Sequence, residues 1–324
     1  MSAEPSSPSA LLESEAFTAP AADGYPISGR LWRHAEAAAV PRPVAIICPA
    51  TSVRCRYYAR FAAFLVRHGM DALIFDYRGI GESRPARLRG FPASWIDWGE
   101  RDVEAVLRHV RQAFPSQPID VVGHSIGGFI LGLAPSSAII RRIVTVGAQY
   151  AYWRDYAPEA RLAMLAKWHL AMPLLALLFS YFPGAKLGWI EDTPTGVVRD
   201  WALSRARFEE SWRGRSPRQA ENNERLCRRL ASVTAPILAV SLGDDEFGTV
   251  AAIERSLAYF RRSPRTHLRI APAAIGAEKI GHFGFFHSRF EQSLWPVALG
   301  WLRAGEVAPN APGIVVRRMA AAAA

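Results

Sequence analysis

The stretch Val121-Val122-Gly123-His124-Ser125-Ile126-Gly127-Gly128 decides the fold of this 324-residue chain. It continues a short apolar run from residue 119, which is typical of a buried parallel strand, and a helix can begin at Gly127. Ser125 would then lie at a sharp bend between the strand and the helix, with a strained backbone. Glycine at 123 and 127 removes two side chains that would collide with the neighbouring strand and helix. The pattern predicts a strand-turn-helix unit that presents Ser125 as a nucleophile.

Apolar strands and amphipathic helices alternate on both sides of this stretch. The predicted strands are residues 44–48, 71–75, 119–122, 139–147, 236–242 and 266–270, the last being the final short strand. The predicted core helices are 56–68, 95–114, 250–260 and 295–302, and residues 16–33 form a hairpin with an Asp-Gly turn. This order predicts an α/β fold with a mostly parallel central sheet that is covered by helices on both faces.

Residues 150–231 break this alternation. They are rich in Trp, Tyr, Leu and Met, and they predict helices near 158–180, 194–205 and 218–230 with no strand between them. We interpret this block as a helical cap insertion that can line an apolar pocket. Its most apolar segment, residues 170–182, contains Pro173 and is too short to span a bilayer, so no transmembrane segment is expected.

The domain organisation follows from these elements. Residues 1–15 are expected to be a disordered lead, residues 16–149 the first part of the core, and residues 150–231 the cap insertion. Residues 232–304 complete the core, and residues 305–324 are expected to be a C-terminal tail.

The composition excludes several classes of function. The net charge of +10 favours anionic partners and is compatible with transient contact with a membrane surface. However, the arginines lie in short scattered groups such as Arg84, Arg87 and Arg89, without interleaved aromatics, so no nucleic-acid partner is expected. Three cysteines without disulfide or zinc spacing, and no sign of a secretory signal, favour the cytoplasm. No metal and no cofactor is expected, and the oligomeric state is left open.

A glycine pair follows the strand at residues 71–75. Gly79 and Gly81 match the first two glycines of the G-x-G-x-x-G motif that binds dinucleotides. The third glycine of that motif would be residue 84, which is Arg84. We therefore expect a turn with structural roles for Asp76 and Arg78.

A serine nucleophile needs a base to take its proton and an acid to orient that base. When a serine lies on such a turn, the acid follows it in the chain and the histidine comes last. Asp244, Asp245 and Glu246 directly follow the strand at 236–242, and we favour Asp245. The loop after the final predicted strand contains His282, with His287 as its alternative.

The negative oxygen that forms during such a reaction needs two backbone N–H donors. One is expected from Ile126, the residue after the nucleophile, and the other from the loop after the strand at 44–48. Thr51 is the first candidate for this second donor and Ala50 is the alternative. We also expect Ala50 to contact the substrate pocket. His124 could contact it too, but we favour a position in which its side chain packs beneath the turn.

From about residue 25 to 302 the chain resembles the α/β-hydrolase superfamily. It is most similar to a bacterial group related to serine aminopeptidase and monoacylglycerol-lipase-like enzymes. The resemblance is carried by the phrases Pro49-Ala50-Thr51, Asp76-Tyr77-Arg78-Gly79-Ile80-Gly81, Gly123-His124-Ser125-Ile126-Gly127-Gly128 and Ile280-Gly281-His282-Phe283-Gly284-Phe285-Phe286. It implies Ser125 as nucleophile, Asp245 as acid and His282 as base. In this chain Pro49-Ala50 replaces the His-Gly of many relatives, and Glu246 replaces a proline that often follows the acid.

These features predict a serine hydrolase that needs no cofactor. Its expected substrate is a small carboxylic ester, or secondarily an amide, with a hydrophobic acyl or alcohol part, and the expected intermediate is an acyl-enzyme. Two alternatives stay open, namely an acyltransferase that uses the same three residues and a non-catalytic binding protein on the same scaffold.

Overall fold

The structure is a computed structural model that describes residues 13–34, 41–211 and 217–322, without the side chains of 217–220. Residues 1–12 of the predicted N-terminal lead lie outside these ranges. So do residues 35–40 and the last two alanines of the tail.

Within the described residues, one nine-stranded sheet has the strand order β1-β2-β4-β3-β5-β6-β7-β8-β9. The strands are β1 Glu15–Pro20, β2 Pro26–Trp32, β3 Val44–Cys48, β4 Asp71–Phe75, β5 Ile119–His124, β6 Ile140–Val146, β7 Ile237–Leu242, β8 Arg265–Ile270 and β9 Ile314–Met319. Strands β3 to β8 run parallel to one another, whereas β1, β2 and β9 pair antiparallel at the two edges. The predicted α/β architecture is confirmed, including the hairpin of β1 and β2.

Helices cover both faces of this sheet. The longer ones are Ala59–Arg67, Glu104–Ala113, Pro217–Ser232, Val250–Leu257 and Trp295–Ala304, with shorter turns at Trp95–Asp97, Gly127–Ile130 and Gly281–Gly284. In β3, Ile46 packs into the core on one face and Ile47 into the core on the other. Burial on both faces explains why these strands are apolar at successive positions.

The segment between β6 and β7, which we call the insert (residues 150–231), is helical as predicted. Its main helices are Arg161–Phe179, Thr195–Ala202 and Pro217–Ser232. The first runs unbroken through Pro173 and is π-helical from Leu165 to Ala171. It is therefore longer than the apolar segment expected at 170–182. It is the one helix among the described residues that is long and apolar enough to cross a membrane.

The C-terminal segment differs from the prediction of a tail. Strand β9 pairs antiparallel with β8 and extends the sheet by one strand, so β8 is not the last. Ile314, Val315 and Val316 are all exposed, so β9 is held by backbone pairing and shows no alternation of buried and exposed residues. Periodicity of apolar residues cannot reveal a strand of this kind.

The glycine pair after β4 has the structural role predicted for it. The carboxylate of Asp76 accepts hydrogen bonds from the backbone N–H groups of Cys55 and Glu82, at 2.7 and 2.8 Å. A Cβ at Gly81 would lie 2.0 Å from that carboxylate. Arg78 is buried and donates to the carboxylate of Asp102 at 2.7 Å. These contacts join the turn to both neighbouring helical layers.

Candidate active site

Ser125 follows directly after β5 and has a left-handed backbone, with φ of +53°. A Cβ at Gly123 would lie 2.4 Å from the Cα of Gly128, and one at Gly127 would lie 2.4 Å from the carbonyl oxygen of Cys48. No side chain fits in either place. The two glycines therefore allow the strained turn that the sequence predicts, and such strain in a residue other than glycine is typical of functional sites.

His282 and Asp245 meet at the carboxyl ends of the parallel strands. The Nδ1 of His282 lies 2.8 Å from Oδ2 of Asp245, and both side chains are buried. Oδ1 of Asp245 accepts hydrogen bonds from the backbone N–H groups of Phe247 and Gly248, each at 2.8 Å. Burial alone would raise the pKa of Asp245, but the charge and hydrogen bond of His282 and the two backbone donors together lower it. The acid is thus held ionised beside the imidazole.

Among the described residues, the other candidates do not pair with His282: Glu246 lines the cavity, and Asp244 and His287 have other partners. Oδ2 of Asp244 accepts from the backbone N–H groups of Ile280 and Gly281, at 2.8 and 3.0 Å, and so fixes the loop that leads into His282. His287 is exposed and its Nδ1 accepts from the N–H of Arg289 at 3.3 Å. Of the candidates weighed from sequence, the structure pairs Asp245 with His282.

Ser125 and His282 face the same cavity. Nε2 of Gln149 donates to the Ser125 hydroxyl at 3.4 Å, while the Gln149 carbonyl accepts from the N–H of Ala151. Within the described residues, no hydrogen bond joins the serine hydroxyl to the imidazole. Gln149 was not singled out from the sequence, since a lone glutamine after a strand carries no pattern.

Two backbone N–H groups near Ser125 are free to act as donors. Among the described residues, the N–H groups of Ile126 and Thr51 donate to no acceptor, and Thr51 lines the cavity. The N–H of Ala50 instead donates to the hydroxyl of Tyr58 at 3.0 Å. Thr51 therefore fits the second donor position better than Ala50, whose N–H group already has an acceptor. Ala50 lines the cavity as predicted.

His124 packs beneath the turn, the position favoured from the sequence, and the alternative that it contacts the substrate pocket is wrong. It is fully buried and is not among the residues that line the cavity. Its Nε2 lies 3.0 Å from the carbonyl oxygen of His282, so this nitrogen carries the proton. Its Nδ1 then accepts from the hydroxyl of Tyr58 at 2.7 Å. Burial, and secondarily the charge of His282, lowers the pKa of His124 to about 3, so the ring is neutral.

A directional chain of hydrogen bonds follows from these assignments. It runs from the N–H of Ala50 to the Tyr58 hydroxyl, from that hydroxyl to His124, and from His124 to the backbone of His282. This chain connects the loop after β3 with the loop that bears the histidine.

The cavity has a volume of about 560 Å³. Its floor is formed by Ala50, Thr51, Ser125 and His282, and its walls include Met164, Lys167, Trp168, Trp189, Trp201, Phe247 and Phe283. Trp168 stacks on Trp201 with ring centroids 4.8 Å apart, and the ring of Phe247 lies 4.9 Å from the ring of His282. Most wall residues come from the insert, as the aromatic composition of that block predicted in general terms.

The insert also forms hydrogen bonds and an ion pair with the loop after β3. Thr193 donates through its hydroxyl to that of Ser52 at 2.7 Å, and Arg54 donates to the carboxylate of Glu191 at 2.7 Å. The carbonyl of Ser52 accepts from the N–H of Glu191 at 3.1 Å. Ser52 has φ of +55°, so these contacts stabilise a strained residue next to Thr51.

Sequence reasoning missed two glycines that surround the acid. A Cβ at Gly147, where φ is +57°, would lie 2.8 Å from the Asp245 carboxylate and 3.1 Å from the His282 ring. One at Gly248 would lie 2.4 Å from the same carboxylate. Gly147 ends the predicted strand at 139–147 and Gly248 lies two residues before the predicted helix at 250–260, but only the folded arrangement shows what they make room for. In the described ranges, no three His, Cys, Asp or Glu side chains are grouped as a metal site requires.

Comparison with solved structures shows the same fold. The complex of DcsB with its substrate analogue matches with a TM-score of 0.58 at 14% identity, over 90% of this chain and 98% of that one. The Pyrococcus furiosus esterase Pf2001 matches with a TM-score of 0.55 at 16% identity, over 93% and 96%. A Mycobacterium tuberculosis puromycin-hydrolyzing peptidase matches with a TM-score of 0.55 at 14% identity, over 90% of this chain but 39% of its own.

The sequence itself matches one family of α/β hydrolases over residues 39–271, which is well over half of the chain. That region begins before β3 and extends past β8, so it contains Ser125 and Asp245. His282 lies a short distance beyond its end. The chain therefore belongs to the Hydrolase_4 family, described as serine aminopeptidase S33, within the α/β-hydrolase superfamily.

Proposed function

We propose that this protein cleaves a carboxylic ester with a hydrophobic acyl or alcohol part through an acyl-enzyme intermediate. One observation carries the proposal. A serine on a strained turn and a buried His–Asp pair open into the same apolar cavity, beside two free backbone donors.

In the proposed reaction, Nδ1 of His282 is held by Asp245, which leaves Nε2 to take the proton of the Ser125 hydroxyl. The serine oxygen then bonds to the carbonyl carbon, and the negative oxygen binds to the N–H groups of Ile126 and Thr51. His282 returns the proton to the departing alcohol as the ester bond breaks. Water repeats the sequence and releases the acid.

A rotation of the Ser125 side chain precedes the first step. In the free protein the hydroxyl is paired with Gln149 at 3.4 Å, which is a long and weak hydrogen bond. Catalytic hydrogen bonds are commonly loose before substrate binds and tighten in the complex. We propose that the bound carbonyl group displaces Gln149 and turns the hydroxyl toward His282.

The cavity walls support the substrate class. Three tryptophans and Phe247 give an apolar surface, and a volume of about 560 Å³ suits a small ester. We further propose that the insert acts as a cap that keeps water from this surface. The three free cysteines support our proposal of a cytoplasmic location.

A fluorophosphonate probe tests the nucleophile directly. The wild-type protein should be labelled, whereas Ser125→Ala should not, and Ser232→Ala, at an exposed serine that does not line the cavity, serves as a control that leaves the nucleophile in place. Labelling of Ser125→Ala at the wild-type level would refute the assignment.

Substrate panels separate the remaining alternatives. We expect p-nitrophenyl esters of medium chain length to be hydrolysed faster than acetate esters, and faster than aminoacyl p-nitroanilides. Faster turnover of the anilides would point to an amide substrate. Rapid p-nitrophenol release only in the presence of an added alcohol would indicate acyl transfer. Probe labelling without turnover of any substrate would contradict ester hydrolysis.

A further inference from the structure

The helix Arg161–Phe179 has large apolar side chains on two sides. Its inner side, which includes Met164, Trp168, Met172 and Ala176, is buried within the insert. Its outer side exposes a row that we call the leucine face, which consists of Leu162, Leu170, Leu174, Leu177 and Leu178. Leu177 and Leu178 are 76% and 74% exposed. So much contiguous apolar surface on the outside of a protein marks an interaction site.

The leucine face is continuous along one side of the helix. Its members at 170, 174, 177 and 178 follow the spacing of a single helical face. Although the 19-residue helix is long enough to span a membrane, its inner side packs into the insert and carries cavity-wall residues. A helix fixed in this way presents only its outer side, so it can lie along a membrane surface but not cross it.

Basic residues border the leucine face. No acidic residue occurs between Glu159 and Glu191, and Lys186 is exposed just beyond the helix. The N–H of Gly90 donates to the carbonyl of Ser180 at 3.1 Å, which places the loop of Arg87 and Arg89 at the C-terminal end of the helix. Both arginines are exposed and form no ion pair within the described ranges. The combination of exposed leucines and cations is complementary to an anionic lipid surface.

We propose that the leucine face docks this protein on the surface of an anionic lipid bilayer. A second copy of the chain is a poorer partner for this face. It would bring two basic borders together, and each chain carries a net charge of +10. The inner side of the same helix contributes Met164 and Trp168 to the cavity wall. Docking therefore holds the cavity close to the lipid surface, where apolar molecules are concentrated.

The test is co-sedimentation of the full chain with vesicles of phosphatidylcholine, with and without phosphatidylglycerol. We expect binding to the phosphatidylglycerol vesicles that weakens as salt is raised. The double variant Leu177→Glu/Leu178→Glu should bind about a hundredfold more weakly, because two leucines no longer enter the interface. Leu203→Glu makes the same change at an exposed leucine of the insert outside the leucine face and should bind as the wild type does.

Two further variants separate this proposal from the proposed reaction. Arg87→Glu/Arg89→Glu should remove the preference for phosphatidylglycerol, and Ser125→Ala should bind vesicles normally. The leucine double variant should hydrolyse a water-soluble ester at the wild-type rate. The proposal is overturned if wild-type protein does not bind the anionic vesicles, or if the leucine double variant binds them equally well. Concentration-dependent dimerisation that the double variant abolishes, without vesicle binding, would assign the face to a second copy and also overturn it.

Discussion

Replacement of Tyr58 by phenylalanine tests the hydrogen-bond chain beneath the serine. The hydroxyl of Tyr58 accepts from the N–H of Ala50 at 3.0 Å and donates to Nδ1 of His124 at 2.7 Å. Its removal leaves one buried donor and one buried acceptor without partners. The ring itself keeps its edge contact with Phe286, at a centroid distance of 4.9 Å, so no large cavity is created.

The expected loss of stability follows from these two groups. A buried polar group left without a partner costs about 1–3 kcal/mol, so the two groups exposed by Tyr58→Phe should lower the free energy of unfolding by about 2–6 kcal/mol. The loop of Ala50 and Thr51 should also lose its fixed position, so kcat/KM for a soluble ester should fall while KM changes little. Urea unfolding and steady-state kinetics measure the two effects.

Tyr57→Phe is the matched control, because the hydroxyl of Tyr57 donates to the carbonyl of Phe283 at 2.6 Å in an exposed position. Water can replace that bond, and the expected change in stability is about 1 kcal/mol or less. In a double-mutant cycle, Tyr58→Phe and His124→Asn should show a coupling energy of about 0.5–3 kcal/mol. Stability of Tyr58→Phe equal to that of Tyr57→Phe, with no coupling to His124, would refute the assignment of the chain.

Three other predictions concern the acid, the turn and the pH dependence. Asp245→Asn should lower kcat by about 10⁴-fold through the wrong imidazole tautomer, as in the well-studied serine triad, whereas Asp244→Asn should lower it about tenfold or less. A larger loss in Asp244→Asn than in Asp245→Asn would reverse the two roles. Gly127→Ala should lower the free energy of unfolding, measured in urea, by more than about 2 kcal/mol, because the new Cβ would lie 2.4 Å from a carbonyl oxygen. Gly300→Ala is the control: a Cβ at this position meets no atom within 4 Å, so the change should be neutral or slightly stabilising. The pKa of His124 is lowered to about 3 in the fold, and the unfolded chain therefore binds more protons between about pH 3 and 6.5. Stability should fall as pH decreases through that window, and the slope should flatten in His124→Asn.

The central sheet and the serine turn could be predicted because their requirements are local in the sequence. Strands buried on both faces are apolar at most positions, and the turn at Ser125 needs glycine on each side. The residues alone left three adjacent carboxylates as candidates for the acid, with Asp245 favoured. Asp244 and Asp245 are neighbours in the chain, and they are distinguished by the direction in which each side chain points. Only the folded loop shows that one binds backbone and the other binds His282.

The features that could not be predicted depend on contacts between distant segments. Strand β9 is held by backbone pairing without burial, and the N–H of Ala50 is occupied by a tyrosine hydroxyl eight residues away. His124 packs beneath the turn as favoured from the sequence, but its hydrogen bonds to Tyr58 and to the backbone of His282 depend on the folded arrangement. Neither periodicity nor motif spacing carries this information.

The contacts between the insert and the loop after β3 restrict how substrate can enter. The left-handed Ser52 is held by Thr193 and by the backbone of Glu191, and Arg54 pairs with the side chain of Glu191. If the insert swung away as a rigid lid, these contacts would break and Thr51 would lose its position as a donor. Under the proposed reaction, opening at this end of the insert is therefore incompatible with catalysis. We therefore expect substrate to enter the cavity without detachment of the whole insert.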